Sequence, residues 1–417
     1  MKIGFLLKRI TYLKTMGSLI KESLMQGHEV FIFFIPNVAK GAKAYQNVSS
    51  EKLEALKKLG AEIVEIGMEE LSGLGSRYGL DHLVTQEGFH SLNAQLGDLA
   101  ALRKSGTRLV SLSHYFEIAQ HPISALEHFD RTIYLSEYAR DLHFELQVQE
   151  ENRAPEQERV ADLISTAGSP MFDPISKLKR RDIRANMEID DEQKVVLYIS
   201  PVISSSTPWR YSVLRDASRL SKSRDVLIAG KPGYLGEIWF GKSAQQIFEE
   251  IKVFCDRNDA MLIVKSRGKQ ADGSYLSDGA DTYFNGFDDE YFPVFSTHTL
   301  LAASDLCITA NSMAAAEAVA VGVPCLNIAL PPHDRVGHSS AERNNYEEAL
   351  LGGSPGSLMN YPGCVTRVER REIASFLSSK MIDQQEIDPI KREEYISEFL
   401  GIEGRSSSQR ILEEMNS

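Results

Sequence analysis

The chain has 417 residues, 42% of them hydrophobic and 25% charged. That balance belongs to a globular protein with room for two domains, and it excludes wholesale disorder. The 46 Lys and Arg against 58 Asp and Glu leave a formal charge of −12, which excludes a protein that coats nucleic acid, because neutralising phosphates needs a basic surface.

The N-terminal third alternates strand and helix patterns. Lys2–Leu7 reads as a buried strand and Thr15–Gln26 as a helix with Leu19, Ile20, Ser23 and Leu24 on one face, stopped by Gly27. Val30–Ile35 is the next strand. Ser50 is placed to cap a helix over Glu51–Leu59, and Gly60 ends it. Further strands are expected at Ala61–Ile66, His82–Thr85, Thr107–Leu112 and Arg131–Leu135. Gly73–Gly79 reads as a flexible loop, and Gln149–Arg159 as a charged surface loop. Leu163–Pro174, with one Gly and two Pro, reads as a stiff hinge between domains.

Beyond it the pattern restarts, with strands at Val195–Ile199, Asp225–Ala229, Met261–Lys265, Leu306–Thr309 and Pro324–Ile328. Helices are expected over Ser243–Asn258 and Met313–Val321. The last 40 residues read as helical, with a polar break over Gly401–Gln409. Strands separated by helix-length segments imply βαβ units and parallel sheets. The expected division is an N-terminal domain over residues 1–173, a C-terminal domain over 174–375 and a helical tail over 376–417.

Four cysteines occur, none in a CxxC pair, and Cys307 and Cys325 sit inside apolar runs. Reduced, buried thiols are expected. The longest apolar run, Val30–Ile35, is far short of the roughly 20 residues a bilayer core requires. Lys8 and Arg9 interrupt the first apolar stretch too early for a secretory signal, so a cytoplasmic chain is expected.

The chemistry concentrates at strand ends. Ser304–Pro324 reads as a strand, a polar turn, an Ala-rich helix and a Gly stop. Asn311 or Ser312 would cap that helix, whose free N–H groups favour an anion such as a diphosphate. Glu317 lies within reach of a ribose hydroxyl. Lys265, Arg267 and Lys269 cluster after another strand and suit a phosphate clamp. His114 follows the strand ending at Leu112, where a near-neutral side chain suits a general base. Glu87 and His90 occupy an equivalent strand-end loop, and a carboxylate there serves the same task.

Two other patterns carry less. Gly236–Ser243 matches a P-loop in letters, but Lys231–Leu235 separates it from the preceding strand, and a P-loop leaves its strand directly. HExxH and paired CxxC motifs are absent, so no metal ligand set is expected.

Taken in order, these pieces resemble the two-domain glycosyltransferases of the GT-B fold, and in particular bacterial surface-polysaccharide and CDP-glycerol glycerophosphotransferase-like enzymes. The resemblance rests on Ser113-His114-Tyr115, Ser136-Glu137-Tyr138-Ala139, Gly168-Ser169-Pro170-Met171-Phe172-Asp173, Ile263-Val264-Lys265 and Asp305–Pro324. UDP-GlcNAc 2-epimerases share the last segment. Arg267-Gly268 replaces the His-Pro of that family, and Tyr115 replaces a Gly. The resemblance implies an α/β fold of two Rossmann-like domains facing across a cleft. It further implies a nucleotide-sugar donor held by Lys265, Arg267, Asn311, Ser312 and Glu317, a glycan or glycolipid acceptor on the N-terminal domain, catalysis by His114, and no cofactor or metal. Lys8, Arg9, Lys14 and Lys21 read as a solvated helix face that is also placed to touch a membrane surface. A sugar-nucleotide 2-epimerase, a glycerophosphotransferase and a non-catalytic nucleotide-sugar subunit are the alternatives.

Overall fold

Apolar runs too short for helices, each bounded by a polar break, become the strands of two parallel sheets. The computed structural model describes residues 1–36, 48–86, 101–113, 122–200, 244–266, 274–285, 296–329 and 353–416. Its first sheet contains β1 (Lys2–Leu7), β2 (Glu29–Phe34), β3 (Glu62–Glu65), β4 (His82–Thr85), β5 (Arg108–Leu112), β6 (Arg131–Tyr134) and β7 (Ile164–Thr166). Its second contains β8 (Lys194–Ile199), β9 (Ala260–Ser266), β10 (Thr282–Asn285), β11 (Leu306–Thr309), β12 (Cys325–Ala329) and β13 (Val365–Glu369). The strand orders are β3-β2-β1-β4-β5-β6-β7 and β10-β9-β8-β11-β12-β13. All pairings between these strands are parallel. Each order reverses once, between β1 and β4 and between β8 and β11, as in doubly wound folds. The α/β class with two Rossmann-like domains is what forms.

Alternation along each strand sends successive side chains to opposite faces. In the first sheet, Ile3, Phe5, Ile32, Phe34, Val84 and Val110 pack with Met16, Leu19 and Ile20 of the helix Leu13–Met25. Leu6, Phe31, Phe33, Leu83 and Leu109 fill the other face with Leu71, Leu74 and Leu102. In the second sheet, Val196, Tyr198, Val264, Ile308 and Leu326 pack against Ile247, Phe248, Ile251 and Phe254 of the helix Ala244–Arg257.

The chain divides into two units. The first holds Met1–Lys177 and the returning segment Ile396–Ser417; the second holds Leu178–Asp289 and Thr297–Tyr395. The helix Ser407–Asn416 puts Ile411, Leu412 and Met415 into the core of the first unit beside Ile3 and Phe5. The segment is a built part of that unit, since burying such a side chain stabilises by about 1.5–3 kcal/mol.

Several local expectations change. Gly73–Gly79 is not a loop: Met68–Gly73 is a 3-10 helix and Leu74–Tyr78 an α-helix, closed by Gly79 at φ 63°. Gln149–Arg159 is helical too, as Glu150–Asn152 and Arg153–Val160. Its polar sequence reflects exposure on most sides, and only Val160 of the second helix is buried. Ser50 makes no side-chain cap, and the following helix splits into Glu51–Leu53 and Glu54–Lys58. Lys8 is buried at 4% exposure instead of lying on a solvated face. The strand expected at Asp225–Ala229 and the P-loop-like Gly236–Ser243 lie outside the described residues.

The expected hinge has a different job. Ile164–Thr166 is the edge strand β7 and Pro170–Lys177 a 3-10 helix. Asp173 at its centre grips the returning chain. Its Oδ1 accepts the N–H of Ser407 at 2.8 Å, and its Oδ2 accepts the Ser408 N–H at 2.9 Å and the Ser406 hydroxyl at 2.8 Å. Asp173 thus caps the final helix from a distant point of the chain. The Ser136 hydroxyl donates to the Phe399 carbonyl at 3.0 Å while accepting from the Ala139 N–H. Tyr138 meets Phe399 edge to face, with ring centres 4.7 Å apart. Gly401 at φ 57° passes so close that a Cβ there would strike the Leu135 carbonyl oxygen. Two of the motifs behind the family resemblance, Ser136–Ala139 and Gly168–Asp173, therefore form the socket for this return.

Candidate functional site

In open α/β sheets, ligands bind beyond the carboxyl ends of the strands where the strand order reverses. In the second sheet that point lies between β8 and β11, and the residues leaving these strands are Ser200 and Ala310-Asn311-Ser312. The Thr309 hydroxyl donates to the Ile199 carbonyl at 3.4 Å, and the Ser200 N–H to the Lys265 carbonyl at 3.0 Å. The ends of β11, β8 and β9 are thereby tied side by side.

Asn311 turns the chain from β11 toward the helix Ala314–Val321 with φ at 41°, in the left-handed region that Asn tolerates better than most residues. Its N–H donates to Oδ1 of Asn327 at 2.8 Å, and Asn327 Nδ2 donates to the Met359 carbonyl at 3.0 Å. Asn327 lies within β12 and is fully buried, so it joins the turn to the segment around Met359 through the interior. The sequence reading passed over this residue. Its signal was present: a lone amide in an apolar strand needs internal hydrogen-bond partners.

The helix cap differs from expectation. Met313 holds the cap position without a side-chain hydrogen bond. Ser312 sits one residue earlier and accepts the Ala314 N–H on its hydroxyl at 3.3 Å and the Ala315 N–H on its carbonyl at 2.9 Å. Neither Asn311 nor Ser312 is the formal cap, because the left-handed turn at Asn311 is completed before the helix starts. Gly322 closes the helix at φ 93°.

Lys265 is a strand residue and not part of a basic loop. It lies in β9 level with Ile199 of β8 and Phe284 of β10, and is 7% exposed. One strand, β8, separates it from β11, which at the usual spacing sets the two backbones about 10 Å apart. The turn at Asn311-Ser312 and the Lys265 cation therefore flank the reversal point of one sheet.

Glu317 sits on the inner side of the helix at 3% exposure, with its carboxylate 3.4 Å from the fully buried ring of His298. The same carboxylate helps push up the Cys307 thiol, after the thiol–thiol contact with Cys325 and burial itself. Cys307 and Cys325 are level on adjacent strands, and all four cysteines are free and buried, as expected from their apolar surroundings.

Arg267, His114, Glu87 and His90 lie outside the described residues. The strands leading to the last three are described. β4 and β5 are neighbours in the first sheet, with Thr85 level with Ser111. Ser113, the last residue before His114, accepts the Leu135 N–H on its hydroxyl at 3.0 Å. The first sheet reverses at β1 and β4, where buried Lys8 and Gln86 leave their strands.

No family model matches the sequence, and no curated protein matches it. Solved structures do. A UDP-GlcNAc 2-epimerase of Methanocaldococcus jannaschii in complex with UDP-GlcNAc and UDP superposes with a TM-score of 0.52 at 12% identity, over 100% of this chain and 99% of that one. MurG of Acinetobacter baumannii gives 0.51 at 10% identity, over 100% and 99%. The wall teichoic acid polymerase TagF soaked with CDPG gives 0.51 at 12%, over 100% and 88%. The chain has the GT-B fold. Transferases and epimerases share it, so the likeness carries the architecture and leaves the reaction to the residues. Among the described residues, no helix is long and apolar enough to cross a membrane.

Proposed function

We propose that this GT-B chain is a glycosyltransferase that moves a sugar from a nucleotide-sugar donor to a hydroxyl of a bacterial surface glycan. The observation that carries the reading is the pairing of the strained Asn311-Ser312 turn with buried Lys265 at the reversal point of the second sheet. Sugar transfer from a nucleoside diphosphate builds negative charge on the departing phosphates. Backbone amides at the helix start and Lys265, with Arg267 as a further cation, stabilise that charge without a divalent ion. Glu317 serves the ribose side of the same site, and its contact with His298 fixes its position. The N-terminal domain takes the acceptor, with His114 as general base and Glu87 and His90 as further candidates for proton transfer. The chain acts in the cytoplasm, and Arg9, Lys14 and Lys21 are the residues that meet an anionic acceptor or membrane surface, while Lys8 is buried and takes no part.

A thermal-shift panel of UDP, CDP, CMP, GDP and dTDP compounds tests the donor site, because a ligand that binds the native state raises its melting point. One nucleotide class is expected to raise it in the wild type and to do so much less in Lys265→Gln. No shift with any compound overturns the reading. The epimerase fold neighbour supplies the second reading, and incubation with UDP-GlcNAc alone separates the two: an epimerase turns over without an acceptor. His114→Ala is expected to retain nucleotide binding and lose turnover, which distinguishes an enzyme from a binding subunit.

A further inference from the structure

The donor turn and the helix Ala314–Val321 are both tied to one later helix, Pro389–Leu400. Asp388-Pro389 is a strong helix start, because Asp caps free N–H groups and Pro suits the first helical position. Asp388 Oδ1 accepts the Ile390 N–H at 2.8 Å and the Lys391 N–H at 3.1 Å, and its own N–H donates to the Gly363 carbonyl at 2.8 Å. This seats the helix on the segment that leads into β13. Its residues up to Tyr395 belong to the second unit, as the donor turn does. Arg392 and Tyr395 stand three residues apart, a spacing that puts both on one face.

Arg392 reaches the carboxyl end of the donor helix. Its Nε donates to the Val319 carbonyl at 2.9 Å and its Nη2 to the Ala320 carbonyl at 2.6 Å. A helix leaves its last carbonyls unpaired at the negative end of its dipole, and a forked cation suits them. Tyr395 reaches the other end by relay. Its hydroxyl donates to the Leu358 carbonyl at 2.9 Å. The next carbonyl, that of Met359, accepts from Asn327, whose Oδ1 accepts the Asn311 N–H. Tyr395 is fully buried, with its ring edge to face against Tyr361 at 5.2 Å. Both ends of the donor element are therefore fastened to one face of one helix.

We propose that Arg392 and Tyr395 are positioning residues for the donor turn, holding its amides in place through the backbone and not by contact with the ligand. The consequence for binding rests on the donor-site reading above. The donor helix has 8 residues, too few to be stable by itself, so its partners set where it lies. Donors that stabilise a developing charge work only when held in place beforehand, and small displacements forfeit the gain. Lys at position 392 keeps the charge but lacks the planar fork that meets two carbonyls at once. Arg257 supplies a matched control within the same unit. It caps the helix Ile373–Ser379 in the same manner, donating to the Ser378 carbonyl at 2.7 Å, the Lys380 carbonyl at 2.6 Å and the Leu377 carbonyl.

The test compares Arg392→Gln, Arg392→Lys, Tyr395→Phe and Arg257→Gln in the full chain, by amide exchange and by titration with UDP and CDP. In Arg392→Gln and Tyr395→Phe, exchange at the Asn311 and Ala315 N–H groups is expected to accelerate about tenfold, while β8 and β9 keep their protection. Affinity for the nucleotide that the wild type accepts is expected to fall about two- to thirtyfold, with Arg392→Lys intermediate. Arg257→Gln is expected to lower the melting point and leave both readouts unmoved. Should Arg392→Gln unfold the unit, Arg392→Lys and Tyr395→Phe carry the comparison. Acceleration confined to Gly322 and Val323, unchanged nucleotide affinity in the Arg392 and Tyr395 variants, or an equal effect of Arg257→Gln overturns the proposal. A wild type that binds no nucleotide refutes the donor-site reading instead, and the exchange at Asn311 and Ala315 then decides the brace.

Discussion

At the scale of single residues, the donor turn depends on two asparagines with different tasks. Asn311 bears the left-handed backbone, so Asn311→Gly is expected to be nearly neutral for stability. Asn311→Val is expected to cost more than about 1–2 kcal/mol, because a branched side chain opposes positive φ. Equilibrium denaturation of the two variants checks this. Asn327 bears the hydrogen bonds. Asn327→Ala strands the Asn311 N–H and the Met359 carbonyl in the interior, and a loss of about 2–4 kcal/mol is expected, with weaker nucleotide binding if the turn shapes the donor site. Denaturant midpoints and nucleotide titration of the same variant read both effects.

At the scale of elements, the final helix is held by its start and by one face. The Asp173 carboxylate satisfies N–H groups that the helix Ser407–Asn416 leaves unpaired at its beginning, and Ile411, Leu412 and Met415 bury the face. Asp173→Ala is expected to destabilise the first unit by about 2 kcal/mol. Amide exchange should accelerate chiefly over Ser407–Asn416; unchanged protection there would show that packing alone holds the helix. The donor helix Ala314–Val321 works differently. Its run of alanines lets it lie close on the sheet, and only Glu317 interrupts the buried apolar surface, with His298 as its neighbour.

At the scale of the whole molecule, titration and thiol chemistry report on the cores. Burial lowers the His82 pKa below its ordinary 6.5. The native protein then binds fewer protons than the unfolded chain just below that value, so this contribution to stability is complete above about pH 6.5 and is lost as the pH falls through the folded pKa. Thermal unfolding across pH 5–8 (roughly the histidine range) should show an acid limb that is weakened in His82→Gln. Burial also pushes the Cys255 thiol up to about 12 and the Cys364 thiol up to about 11, and holds Cys307 well above its ordinary range. Since the thiolate is the reactive form, the native chain is expected to resist thiol reagents near neutral pH and to release all four thiols on unfolding, as a colorimetric thiol assay would show.

Local pattern by itself determined most of the parallel strands, the long helix faces and the presence of a polar turn at Asn311-Ser312, though not its left-handed backbone or the helix cap, because period-two runs, three- and four-residue spacing and Gly stops are properties of neighbouring residues. It missed β7, β10 and β13, which are short and partly exposed edge or near-edge strands with weak alternation. The roles of Asn327, Asp173 and Ser136 were decided by tertiary structure alone. Their partners stand 16, 234 and 263 residues away, and no local spacing encodes a hydrogen bond across that separation. The same holds for the brace at Arg392, whose carbonyl partners stand 73 and 72 residues away.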